Sequence, residues 1–340
     1  MAKFTDFTKK YLKTFYNMRG NEVLPGLKEL RKEVCKNYNK NLKYDIEEYH
    51  IPIEKIKKLI DTEWVDQEVI NNLGDLKVNY KISWTYKDIN HKIYYKSSRD
   101  IEDRLVYLLN VLNSIYDKKE IKENRPITMY LILTHLKKQP PTSSIVGVKN
   151  VNSGYTDFST NEILVWREEE FEKVIFHEMI HYMDLDVRNM AFDDKELPHH
   201  IDGPKSYFEA FTDIWGNIFY FIYLSIITNK SANSLFQIEY QFMKNQANLF
   251  NKIFNLKDWK NTKGIRTGSA GSNKKTIKQN TPAFTYYILK FLIYKEIIKS
   301  GTLDILNNPR DLLIKILSSD FKEEQFVNLN STRMTLIQLE

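Results

Sequence analysis

His177, Glu178 and His181 stand in the pattern HExxH, and residues of these types at this spacing suit one chemistry. On an α-helix, positions i and i+4 lie on one face a turn apart, so both imidazoles can reach a single metal ion. Glu178 beside them can act as a base toward water on that ion. With seven His and 44 acidic residues in the chain, chance placement of the pattern comes to about one in a hundred. The flanking residues favour the helix that the pattern needs. Phe171, Val174, Ile175, Met179, Ile180 and Met183 make the segment amphipathic, and the acids from Glu168 to Glu172 suit the positive end of a helix dipole.

A catalytic zinc takes three protein ligands and keeps a fourth position for water. The single cysteine, Cys35, cannot build a thiolate site or an internal disulfide, so His, Asp and Glu must supply the ligands. An extended pattern HExxHxxGxxH would need Gly at 184 and His or Asp at 187, where the chain has Asp184 and Val187. His199 and His200 follow Pro198 in a polar connection, with no regular element to fix their direction. Glu209 and Asp213, again i and i+4, share one face of a helix expected from about Ser206 to Ile227. Phe208, Phe211, Ile214, Trp215, Ile218 and Phe219 make that helix apolar nearly all round, where an acidic pair without a cation is costly. Glu209 is therefore the first choice for third ligand and His199 or His200 the second. Asp213 can accept the free ring N–H of a ligand histidine and fix its tautomer. An oxyanion also needs a donor, for which Tyr207, His199, His200 and the Tyr286, Tyr287 pair are candidates.

HEMIH followed by EAFTD resembles the gluzincin metallopeptidases, the thermolysin and neprilysin group, in which HExxH on one helix is followed by ExxxD on the next. The resemblance covers roughly residues 127–227, with room between the motifs for an inserted connection from Asp184 to Lys205. It implies a zincin-like fold and one Zn²⁺ per chain on His177, His181 and Glu209, with Glu178 as catalytic base and Asp213 orienting a ligand histidine. The implied activity is hydrolysis of peptide bonds in a peptide or protein substrate. A strand at Glu162, Ile163, Leu164, Val165 and Trp166 is further implied to border the cleft as an edge and pair with extended substrate backbone. The competing class is a zincin-fold structural or binding protein that holds metal without turnover, for which an intact Glu178 has no chemical use.

The elements that must position these residues are mostly helical. Among 340 residues only 11 Gly and 9 Pro are available for turns, while 42% hydrophobic and 13% aromatic residues can fill a sizeable core. That balance predicts an α+β protein with long helices and a small mixed sheet. Residues 1–73 read as an N-terminal helical region, and residues 74–197 as a sheet-bearing lobe ending in the HExxH helix. Residues 198–340 read as a helical lobe carrying Glu209. Strands are expected at Leu76 to Trp84, Ile93 to Tyr95, Ile127 to Leu133 and Glu162 to Trp166, a loop from Thr142 to Thr160, and a longer one from Asn261 to Asn280.

The charge of +6 arises from 50 basic against 44 acidic residues, most of which can be balanced locally. Nucleic acid is therefore not an expected partner, and the basic stretch from Lys244 to Lys278 reads as a solvated surface. The most apolar run, Ile214 to Thr228, is shorter than the roughly 18–20 residues of a membrane span and reads as a buried core helix. The opening MAKFTDFTKKYLKTF is charged throughout and lacks the layout of a signal peptide. With one cysteine, this predicts an intracellular, reducing setting. Enrichment in Lys, Asn, Ile and Tyr suits an AT-rich genome such as those of some bacteria, protists and large DNA viruses, and for a viral source association with the virion would fit.

Overall fold

A strand buried on both faces must be apolar at nearly every residue, and one with an open side need not be; that difference orders the sheet. The computed structural model describes residues 3–18, 24–39, 42–117, 125–141, 145–187, 201–203, 206–254, 277–318 and 331–339. Its strands are β1 (Tyr44–Glu48), β2 (Val78–Tyr86), β3 (Ile89–Ser97), β4 (Thr128–Thr134), β5 (Ile145–Val146), β6 (Gly154–Asp157), β7 (Glu162–Arg167), β8 (Ile201–Asp202) and β9 (Ile277–Gln279). Its helices are α1 (Asp6–Met18), α2 (Pro25–Asn37), α3 (Ile53–Ile60), α4 (Glu102–Tyr116), α5 (Val148–Val151), α6 (Phe171–Tyr182), α7 (Phe208–Thr228), α8 (Ala232–Phe254), α9 (Lys290–Ser300) and α10 (Pro309–Ser318).

The protein is α+β, with a six-stranded mixed sheet in the order β1-β2-β3-β4-β7-β6 and a small parallel sheet β5-β9-β8. In the large sheet β3, β4 and β7 run parallel, while β6 is antiparallel to β7. Alternation sends Met129, Leu131, Leu133, Ile163 and Val165 into the main core beneath the helices. Tyr130, Ile132, Leu164 and Trp166 enter a smaller core on the opposite face, with Ile56, Leu59 and Ile60 of α3. Burial on both faces explains why the β4 and β7 sequences are unbroken apolar runs.

Three expectations need correction. The stretch before residue 74 is not wholly helical: β1 pairs with β2 from Tyr44↔Trp84 to Glu48↔Tyr80 and completes one side of the sheet. The loop expected from Thr142 to Thr160 contains β5, α5 and β6, each only two to four residues and too short to show a hydrophobic period, and the one expected from Asn261 to Asn280, described only from residue 277, contains β9. The strand Glu162 to Trp166 is not an edge, because β7 pairs with β4 on one side and β6 on the other. The apolar helix α7 also runs longer than its most apolar stretch. At 21 residues it has the length and composition of a membrane span, yet 83% of its apolar window is buried inside the fold.

His91 is an acid-sensitive group of the sheet away from the histidine motif. His91 Nδ1 accepts the Ile127 N–H at 3.0 Å, and its ring stacks on Trp84 and meets Tyr116 edge-on. Burial pushes its pKa down to about 4. An unfolded chain takes up that proton near the ordinary value of about 6.5, so the associated stability is fully present above that pH. It is lost as pH falls toward 4, a change of about 3 kcal/mol. Denaturant titrations at pH 7.5 and 4.5 should show a smaller acid loss in His91→Gln, whose amide oxygen can still accept the Ile127 N–H. Equal acid sensitivity in the two proteins would place the effect elsewhere.

Candidate metal centre

The helix α6 is buried at every one of its residues, the charged and polar side chains on its second face included. Its start is set by Glu170, held in the left-handed region at φ 65°. The Glu170 carboxylate accepts the backbone N–H groups of Met334 (3.0 Å) and Thr335 (2.6 Å) and the Lys138 ammonium (2.9 Å). The next helix in the site, α7, approaches α6 almost backbone to backbone. A Cβ added at Gly216 would lie 3.0 Å from His177 Cα, so glycine is what permits the contact. Glu209, Asp213 and Gly216 share one face of α7, and the close approach delivers both acids to the histidines.

The structure brings His177, His181 and Glu209 together. His177 Nε2 lies 3.2 Å from Glu209 Oε2, His181 Nε2 lies 3.3 Å from the same oxygen, and the two Nε2 atoms are 3.2 Å apart. The opposite ring nitrogens are both engaged: His177 Nδ1–H donates to Asp213 Oδ1 at 3.0 Å and His181 Nδ1–H to Asp186 Oδ2 at 2.6 Å. In the neutral tautomers this leaves two Nε2 lone pairs and a carboxylate oxygen converging on one point. Such a set of acceptors needs a cation or a proton at its centre, and these three residues can hold a metal ion. Asp213, the second acid on α7, is thus the partner of the His177 ring nitrogen. Asp186 was missed, because it lies just past the helix in a connection whose path no periodicity announces.

Glu178 faces the cleft beside them. Its Oε2 accepts the Thr156 hydroxyl at 2.9 Å, and a Cβ at Gly154 would come within 3.1 Å of its Oε1 and 2.6 Å of Val174 Cγ1. Both partners lie on β6, which is the true edge strand here. Trp166 N–H donates to Ser153 O at 3.0 Å, and the register then puts the hydrogen-bonded pairs at Tyr155↔Leu164 and Asp157↔Glu162. The backbone groups of Gly154 and Thr156 therefore turn away from β7, to the open side. The sequence clue to this strand was only a Gly and a Thr next to turn residues.

Of the proposed oxyanion donors, Tyr286 lies in the cleft and its hydroxyl donates to Glu209 Oε2 at 3.0 Å. Tyr287 points away, to Thr332 O at 2.6 Å. Tyr207 is buried at the head of α7 and does not line the cleft. His199 and His200 lie outside the described residues, as does most of the basic stretch, at 255–276. The cleft has a volume of about 760 Å³. The exposed aromatics Trp64 and Phe158 stand on its rim.

Burial governs the electrostatics. It drives His177 down to about 3 and raises Glu178 to about 7. Burial opposes the charge on His181 too, but the Glu209 carboxylate and the Asp186 hydrogen bond outweigh it and lift that pKa to about 10. The two histidines hold Glu209 far below the usual carboxylate range against its own burial. Without a metal, then, the cation at the centre is a proton on His181.

No family model and no solved structure matches the chain. It is similar to an uncharacterized protein of Acanthamoeba polyphaga mimivirus, at 28% identity over 95 residues, which are 27% of this chain and 24% of that protein.

Proposed function

We propose that the protein is a zinc-dependent metallopeptidase of zincin-like fold that hydrolyses peptide bonds in a peptide or protein substrate. One observation carries this reading: three acceptor atoms form a triangle of sides 3.2, 3.2 and 3.3 Å with both Nδ1–H groups tied to carboxylates. Ligand atoms at about 2.0–2.1 Å from zinc in tetrahedral geometry are about 3.3 Å apart, so the donor set fits that ion.

Bound zinc would supply a water of lowered pKa and an electrophile for the substrate carbonyl. The protein supplies the rest. Glu178, buried and near neutrality in its pKa, is suited to take a proton from the attacking water and return it to the leaving amine. Thr156 fixes the orientation of its carboxylate. The Tyr286 hydroxyl is placed to turn from Glu209 toward an oxyanion. The open backbone groups of Gly154 and Thr156 can receive an extended peptide as an added strand, the role first assigned to residues 162–166.

Metal analysis of the purified protein should give about one zinc per chain, and a peptide library should be cleaved until a chelator is added and again after zinc is restored. Bound zinc with no cleavage of any peptide would favour the silent binding protein.

A further inference from the structure

The carboxylate behind His177 holds more than a histidine. Asp213 Oδ1 accepts the Nδ1–H of His177 at 3.0 Å and the Lys173 ammonium as well, while Oδ2 accepts the Lys290 ammonium at 2.5 Å. The side chains of Asp213 and Lys290 are 0% exposed and that of Lys173 is 2% exposed. Orienting one imidazole requires one acceptor and no lysine. Burying two lysines beside one carboxylate is expensive, and burial holds both below their ordinary pKa, Lys173 well below and Lys290 at about 8, so their presence calls for a reason. Lys173 stands on α6 one turn before His177, on the same face. Lys290 opens α9 and also reaches Met334 O at 3.3 Å. The other charges around them are Glu178, whose carboxylate feels the Lys173 charge, Lys138 with Glu170, and Glu239, which accepts Thr335 Oγ1–H and Leu336 N–H.

We propose that Lys173 is a positioning residue that limits how strongly Asp213 draws on the His177 Nδ1–H, and so holds the site's affinity for zinc below what the carboxylate would otherwise provide. The proposal rests on the metal-centre reading above. A carboxylate partner raises the basicity of a ligand histidine, and losing it costs about 10–100-fold in metal affinity. Lys173 Nζ donates to the same oxygen as His177, draws its electron density toward that N–H and withholds part of the gain. The ion that results is bound less tightly and is less neutralised by its ligands, which favours its role as an electrophile.

Lys173→Met is a clean test, because it leaves His177 on Oδ1 and Lys290 on Oδ2 and bares no acceptor. Zinc Kd measured on the full chain by chelator competition should tighten about tenfold in K173M and weaken about 10–100-fold in Asp213→Asn. In the Asp213→Asn background K173M should change nothing, since its effect passes through that carboxylate. Lys290→Met, which releases Oδ2, should shift Kd in the same direction as K173M by less and provides a second route to the answer. Equal or weaker zinc binding in both lysine variants would overturn the proposal. So would an undiminished gain in the Asp213→Asn background, which would mean that Lys173 repels the ion directly. Failure of the wild-type chain to bind zinc is a different result, and would remove the metal-centre reading itself.

Discussion

Glu178→Gln is expected to keep zinc at the wild-type stoichiometry and to lower kcat for peptide cleavage by about 10²–10⁴-fold, the range that a positioned general base contributes. Gln has the same shape, and its amide oxygen can accept the Thr156 hydroxyl that Glu178 Oε2 accepts at 2.9 Å. The change therefore removes a proton acceptor without opening a cavity or unpinning the edge strand. Metal retention follows from the geometry, because Glu178 lies outside the triangle formed by His177, His181 and Glu209. The two readouts must be taken together: metal content by elemental analysis, and single-turnover cleavage of the best library peptide. Cleavage at near wild-type rate would exclude Glu178 as the base. Loss of zinc would show that it holds the ion.

Glu209→Ala is expected to weaken zinc binding by well over 100-fold, more than the 10–100-fold typical of losing an outer partner of a ligand. Glu209 Oε2 is the atom that both histidines approach, at 3.2 and 3.3 Å, and it is also the acceptor of the Tyr286 hydroxyl. Its removal leaves two nitrogen donors, too few to outcompete water and buffer for the ion. The comparison with His199→Ala and His200→Ala decides the third ligand, and a larger loss in either of those would reassign it. The wild-type site adds a sign that can be checked. His181, with its pKa raised to about 10, carries a second ring proton near neutrality, while His177 at about 3 keeps only its Nδ1–H. Zinc must displace that one proton, so its apparent affinity should fall about tenfold for each unit that pH drops from about 8 to 6. Calorimetry in buffers of different ionisation enthalpy should find close to one proton released per zinc; a value near zero would mean that the histidines are already neutral.

The parts of this site that could be read along the chain share one property: the residues are neighbours on a single helix. His177 and His181, and separately Glu209 and Asp213, are each a turn apart, and the 3.6-residue period is a local consequence of backbone geometry. The residues that could not be read are those whose role depends on a contact between distant segments. Thr156 reaches Glu178 from strand β6, and Tyr286, one of five candidate donors, is singled out only by reaching Glu209 from 77 positions on; Asp186, five positions past His181, is the exception, lying beyond the end of α6 where no helical period applies. Lys173 is a charge on an amphipathic helix, and only the approach of α7 and α9 makes it a buried partner of Asp213.

The same distinction holds for the sheet. Continuous apolar runs identified β4 and β7 as strands, because burial on both faces demands that composition at each residue. Which of them is an edge is a matter of pairing order, and pairing leaves no mark on composition when the neighbour is as short and polar as Gly154–Asp157. By itself, then, the sequence determined an α+β chain with two histidines and a glutamate in HExxH spacing on one helix and two acids on another. Tertiary structure alone decided that these helices touch at Gly216, that β6 faces the cleft, and that two lysines share the carboxylate behind the histidine. Periodicity is imposed residue by residue along the backbone, whereas the convergence of remote segments is set by how the whole core packs.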